Sequence, residues 1–241
     1  MARFVVKFGG SSVADPRRLY GAARKLAAIK RQGHEVIGVL SAQGNATDAL
    51  LARGKEIDPD CGGRELDALL STGEQCSVSL CAMALRRLGM DAVSLCGWQA
   101  GLFTDELYGS ARALRLINDR IERELDRERI VLVAGFQGIN EAGDITTLGR
   151  GGSDTTAVAL AAFLRADVCR IYTDVDGVYN KDPRQYPDAV KYSHLSYDDM
   201  LTLARSGARV LHDRCVELAK QYGVCIEVRS SFTDAEGTMV Y

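Results

Sequence analysis

Three positions in this 241-residue chain are placed to do chemistry: a lysine before a glycine pair, an arginine between glycines, and a glutamate among small residues. The arginine lies in Thr147-Leu148-Gly149-Arg150-Gly151-Gly152-Ser153-Asp154, where the glycines give the backbone freedom. An apolar run follows, and Ser153 or Asp154 can cap the helix it would form. The free N–H groups and positive dipole end of that helix would sit beside Arg150, as an anion site requires. A glycine-rich turn with a surface arginine fits the same residues. The lysine is Lys7, just ahead of Phe8-Gly9-Gly10-Ser11-Ser12. Beside a Gly-Gly turn it suits a phosphate clamp; a strand-end lysine snorkelling to water is the other reading. No G-x-x-x-x-G-K-[ST] loop is present. Glu74 follows Leu69-Leu70-Ser71-Thr72-Gly73, a setting in which a carboxylate is seldom buried without a partner. That partner is either a ligand ammonium or a lysine of the fold.

These residues need elements to hold them. Residues 3–8 read as a buried strand, and an amphipathic helix runs from about Asp15 to Gln32. Glu35 to Leu40 is a second core strand ending at Ser41, and Thr47 either caps the next helix or faces the same side as Gly9 and Gly10. A loop at 55–63 leads to a helical pattern from Arg64 to Leu88, interrupted near Ser71 to Gln75; Gly73 there wants a packing or functional reason. Ala92 to Cys96 reads as a short strand, Gly97 to Tyr108 as irregular, and Ala111 to Arg127 as a charged amphipathic helix. Ile130 to Gly135 is apolar throughout, like a parallel strand buried on both faces. Phe136 to Asp144 suggests a hairpin, Thr155 to Leu164 an interior helix, and Val168 to Thr173 a strand closing at Thr173-Asp174. Ser196 opens a further helix, Gly207 another through Tyr222, Cys225 to Arg229 is the last strand, and residues 230–241 form a tail.

Alternating strands and helices predict an α/β fold: a three-layer α-β-α sandwich with a mainly parallel open central sheet. Residues 1–241 read as one domain, without repeats or linkers. Lys7, Gly9, Gly10, Ser41, Thr47, Arg150, Ser153, Asp154, Thr173 and Asp174 should share one crevice at the strand ends.

Composition narrows the chemistry. Net charge is -2, which argues against nucleic acid, and no apolar run is long enough to span a bilayer. The seven cysteines are scattered and form no C-x-x-C pair, which suits reduced thiols, mostly small core residues, in a cytoplasmic protein. The three histidines are dispersed, so no metal cluster is expected, and each is read as a surface or satisfied core residue. Cations, glycine turns, carboxylates and hydroxyls suit phosphoryl transfer, which depends on positioning and charge neutralisation. Mg²⁺ is expected to arrive with the nucleotide.

The motifs Lys7-Phe8-Gly9-Gly10-Ser11-Ser12-Val13, Ser71-Thr72-Gly73-Glu74-Gln75, Gly97-Trp98-Gln99-Ala100-Gly101, Thr146 to Ala162, and Tyr172 to Arg184 occur in this order. Together they resemble the catalytic domain of aspartate kinases, within the amino acid kinase family, over nearly the whole chain. The resemblance implies ATP-dependent phosphorylation of the side-chain carboxylate of L-aspartate. By motif, Lys7, Gly9 and Gly10 would meet the ATP phosphates and the reacting centre, with Ser41 on the nucleotide side. Thr47, Glu74, Arg150, Gly151, Gly152 and Ser153 would bind aspartate, Glu74 taking its ammonium and Arg150 a carboxylate. Asp154 would orient the cationic groups, and Thr173, Asp174, Tyr179 and Arg184 would shape the nucleotide pocket. A homodimer is implied by the resemblance alone.

Three departures stand out. Arg209 in Gly207-Ala208-Arg209-Val210-Leu211-His212 replaces the usual lysine near the ATP phosphates, keeping the charge but not the compact ammonium. Ala46 precedes Thr47 where many relatives carry a hydroxyl, and Asp213 stands for a frequent proline. This sequence stops at Tyr241, where relatives continue into regulatory ACT domains; a full-length protein this short should lack lysine or threonine feedback through such domains, and a piece of a longer protein is the alternative reading. A kinase for another small amino or carboxylic acid is an alternative reading. A non-catalytic binding subunit, suggested by Arg209, is another.

Overall fold

The structure, a computed structural model, describes residues 1–183, 185–206 and 210–241. Its strands are β1 (Arg3–Phe8), β2 (Glu35–Leu40), β3 (Ala92–Leu95), β4 (Leu102–Thr104), β5 (Ala113–Leu116), β6 (Ile130–Ala134), β7 (Gln137–Ile139), β8 (Ile145–Thr147), β9 (Val168–Thr173), β10 (His194–Leu195), β11 (Ile226–Ser230) and β12 (Thr238–Val240). The helices are α1 (Pro16–Arg31), α2 (Ala46–Ile57), α3 (Gly63–Arg87), α4 (Asp119–Leu125), α5 (Gly152–Phe163), α6 (Tyr197–Arg205) and α7 (Asp213–Tyr222).

Eight strands form the central sheet in the order β10-β12-β11-β9-β1-β2-β6-β3. Every pairing is parallel except β11 with β12. Successive side chains of a strand point to opposite faces, and the core divides accordingly. Val5, Ile37, Val39, Val131 and Val133 pack with Leu160 and Ala161 of α5 and Val216 of α7. Val6, Phe8, Val36, Leu40, Ile130 and Leu132 pack with Leu26 of α1 and Leu85 of α3. Both faces are covered, so the expected three-layer sandwich is what forms. Helix α5 is buried from Gly152 through Ala161 and apolar on every side from Ala157 onward, as a helix wedged into a core must be.

The chain departs from the sequence reading in several places. Residues 113–116 are not helical: β5 pairs antiparallel with β4, inside the stretch expected to be irregular. With β7 and β8 these strands make a second sheet in the order β5-β4-β7-β8. The helix expected from Ala111 starts only at Asp119. Residues 238–240 are a strand rather than tail, because Thr238 and Val240 pair with Val228 and Ile226. Helix α3 runs unbroken through Gly73. The glycine is there for close packing, since an added Cβ would lie 2.9 Å from the Ala42 side chain. The last helix begins at Asp213 with His212 as N-cap; the expected start at Gly207 lies outside the described residues. The cysteines are all free thiols, but only Cys81, Cys169 and Cys215 are buried, fewer than expected.

Candidate active site

β1 lies mid-sheet, and the chain passes to one side of it through β2 and to the other through β9. Ligands in open α/β sheets bind outside the carboxyl ends of strands where the order reverses. A cavity of about 330 Å³ opens at that place. It is lined by Lys7, Gly9 and Gly10 after β1, Ser41, Ala42 and Gly44 after β2, Thr47 on α2, and Glu74 on α3. Phe136, His212 and the whole run from Gly149 to Asp154 complete it.

The Lys7 ammonium lies 2.6 Å from Asp154 Oδ1, and the two side chains are only 11% and 8% exposed. A buried pair of this kind holds the ammonium in place at the mouth of the glycine turn. Asp154 is therefore not a helix cap: Gly151 occupies the N-cap of α5, and no side chain caps it. The first turn of α5 lines the cavity from Gly152 to Asp154, with Gly152 N donating back to the Gly149 carbonyl at 2.9 Å. Thr47 is likewise inside α2 rather than capping it; Asn45 holds that position.

Glu74 is buried at 3% exposure. One oxygen accepts from Ala42 N at 3.0 Å and the other has no partner among the described residues. Burial raises its carboxyl to about 7, with the Ala42 bond opposing the shift. Among the described residues no lysine pairs with it, which removes one of the two sequence readings and leaves a buried, unpartnered oxygen on a residue that lines the cavity. Arg150 is exposed, also lines the cavity and makes no ion pair among the described residues.

Thr173 and Asp174 are not among the residues lining this cavity. They close β9, where the Thr173 hydroxyl donates to Asp174 at 3.2 Å and the Thr173 carbonyl accepts from Ser231 N. Tyr179 lies in the loop beyond, its hydroxyl donating to Asp176 at 2.8 Å and pushed up by burial first and then by that bond. Arg184 and Arg209 lie outside the described residues. His212, read from sequence as surface or core, lines the cavity with its ring against Gly151. Gly151 has φ 71, and an added Cβ would stand 2.3 Å from that ring. Gly151→Ala should therefore destabilise the fold by more than the roughly 1–2 kcal/mol of left-handed strain alone. Gly143→Ala, at φ 84 in open space, supplies the strain-only control in thermal unfolding. Equal losses in the two variants would mean that the His212 contact yields freely.

Among the described residues, no group of three or more His, Cys, Asp or Glu side chains is placed to hold a metal ion. Among the described residues no helix is long and apolar enough to cross a membrane.

The surroundings of this site match known proteins along the whole chain. The aspartokinase of Bacillus sp. (strain MGA3) is 51% identical over 240 residues, all of this chain and 58% of that protein. This chain thus spans under two thirds of the length of that relative. Aspartate kinase from Synechocystis superposes with a TM-score of 0.88 at 44% identity, over 99% of this chain and 39% of that one. Aspartokinase III from E. coli, in complex with aspartate and ADP, gives 0.85 at 27% identity, over 98% and 64%. The family model described as the amino acid kinase family matches residues 2–230, taking in every strand that ends at the cavity, and on that match this chain belongs to the amino acid kinase family.

Proposed function

We propose that this chain transfers the γ-phosphoryl group of ATP to the side-chain carboxylate of L-aspartate, giving 4-phospho-L-aspartate and ADP. The observation that carries this reading is that one cavity is lined by two kinds of group. The first is the Lys7–Asp154 pair with the Gly9-Gly10 turn. The second is Arg150, Glu74, Thr47 and Ser153. The first group suits phosphoryl oxygens; the second suits a small molecule bearing two carboxylates and one ammonium. Glu74 takes the ammonium, Arg150 the backbone carboxylate, and the remaining carboxylate is left facing Lys7.

That carboxylate is already ionised at neutral pH, so no protein base is required. Its oxygen forms the new P–O bond as the bond from the γ-phosphorus to the bridging oxygen breaks, and ADP carries away the electron pair. Lys7 and the glycine amides meet the charge spread over the transferred group. Thr173, Asp174, Tyr179, Arg184 and Arg209 are assigned to the nucleotide side, beyond β9 and ahead of α7. Mg²⁺ is proposed to come bound to the ATP phosphates, with at most one or two protein carboxylates such as Asp154 assisting, and would neutralise phosphate charge. We assign residues 1–241 to one kinase domain, in the cytoplasm and as a homodimer. Exposed Leu80 and Met83 on α3 support the pairing.

The test is trapping of acyl phosphate as the hydroxamate, with Mg²⁺-ATP and L-aspartate beside L-glutamate, N-acetyl-L-glutamate and no acceptor. Signal with aspartate alone is expected. Silence with every acceptor, from folded protein that still binds ATP, would overturn the assignment.

A further inference from the structure

The loop carrying Arg150 is gripped from both sides by charged residues that do not line the cavity. On α3, Asp67 is 1% exposed. It accepts from Thr147 N at 2.7 Å, from the Thr147 hydroxyl at 2.9 Å and from Gly109 N at 2.9 Å. On α7, Arg214 donates from Nη1 to the Leu148 carbonyl at 2.9 Å and from Nη2 to the Ala111 carbonyl at 3.1 Å. A backbone bond from Ala111 N to the Thr147 carbonyl, at 2.9 Å, joins the two gripped segments to each other.

Beyond this bracket the chain turns at Gly149, with φ 72, and Arg150 follows. Arg150 has no ion pair among the described residues, so the backbone on which it stands decides where its guanidinium points. A guanidinium can span two carbonyls with its fixed fork; an ammonium is a single point charge. Arg214 also stands two residues after His212, whose ring presses on Gly151 at the far end of the same loop. The loop is thus pinned at Thr147, Leu148 and Gly151, leaving Arg150 at the centre of a short fixed span.

We propose that Arg214 is a positioning residue for the amino-acid substrate, acting through the Leu148 and Ala111 carbonyls to hold Arg150 at its carboxylate, with Asp67 bracing the same loop from α3. This rests on the reading of Arg150 as the carboxylate-binding group. Small misplacements of such a group cost between about tenfold and 10²-fold. The experiment is steady-state kinetics of Arg214→Ala and Arg214→Lys, with each substrate varied in turn and thermal unfolding alongside. Arg214→Ala should raise KM for L-aspartate about tenfold or more, with KM for ATP within about twofold of wild type. Arg214→Lys should fall between, and free guanidinium ion should lower the raised aspartate KM of the alanine variant. A folded Arg214→Ala protein with unchanged aspartate KM overturns the inference. So does a parallel rise in both KM values, the mark of general loosening. Where Arg214→Ala does not fold, the lysine variant decides: a selective rise in aspartate KM supports the proposal, and an unchanged value sinks it. Wild-type protein silent with aspartate overturns the functional reading and this inference together, a result distinct from active wild type with an indifferent variant.

Discussion

Replacing Lys7 by alanine is expected to lower kcat for acyl-phosphate formation by about 10²–10³-fold, the usual cost of removing one preorganised charge donor at a transition state. The same change should weaken the fold. Lys7 and Asp154 form an ion pair 2.6 Å apart with both side chains largely buried. Breaking such a pair on one side leaves an uncompensated charge and costs on the order of 3–5 kcal/mol. The two effects separate in the variant carrying both Lys7→Ala and Asp154→Ala, which leaves no lone charge behind. Its unfolding midpoint in urea should recover toward wild type while its kcat stays low. A double variant that regains activity to within about tenfold of wild type would show that the pair only holds the structure together.

Glu74→Gln should move stability and binding in opposite directions. In the free protein burial raises the Glu74 carboxyl to about 7 from an ordinary value of 4.5. Below about 4.5 the group is neutral in folded and unfolded chains alike and makes no pH-dependent contribution. Between 4.5 and about 7 the unfolded chain ionises first, so stability falls as pH rises. Above about 7 the full penalty remains, about 3 kcal/mol from the size of the shift. Glutamine carries no charge, so the variant should match wild type near pH 4.5 and be the more stable protein above pH 7. Binding runs the other way. An ammonium favours ionised Glu74, so wild-type KM for aspartate should fall as pH rises through about 7. In Glu74→Gln that dependence should flatten and KM should rise by roughly thirtyfold or more, the cost of truncating one partner of a buried charge pair. Urea unfolding and initial rates measured over the same pH series test both halves. Parallel pH profiles in the two proteins would remove Glu74 from the ammonium site.

What the sequence made legible follows from the range of the interactions involved. β1, β2, β6 and β9 each announce themselves locally, through apolar runs that end at glycine or hydroxyl residues. The cavity's glycine turns and Arg150 follow from the same local signals. Ala113–Leu116 was misleading because its exposed, charged pattern fits a helix, and only pairing with β4 decides the matter. β12 is three residues long and exists through its pairing with Ile226 and Val228 of β11. Gly73 looked like a helix break because Ala42, thirty-one positions away in the sequence, was not visible as its neighbour. The Lys7–Asp154 pair, the Ala42–Glu74 bond and the brackets at Asp67 and Arg214 are contacts between distant segments, and nothing in residue spacing encodes them.

Helix α2 carries Thr47 into the cavity yet has no buried residue anywhere along its length. Helices in proteins are held mainly by the apolar face they bury, and segments with few buried contacts open most easily. One wall of the cavity is therefore the least anchored helix beside it, whereas α3 and α5 are fixed in the interior. An occupant touching Thr47 supplies α2 with contacts that the protein itself withholds. Part of the free energy of binding is then spent in ordering that helix, and the measured affinity for the amino acid is a net figure, smaller than its contacts alone would give.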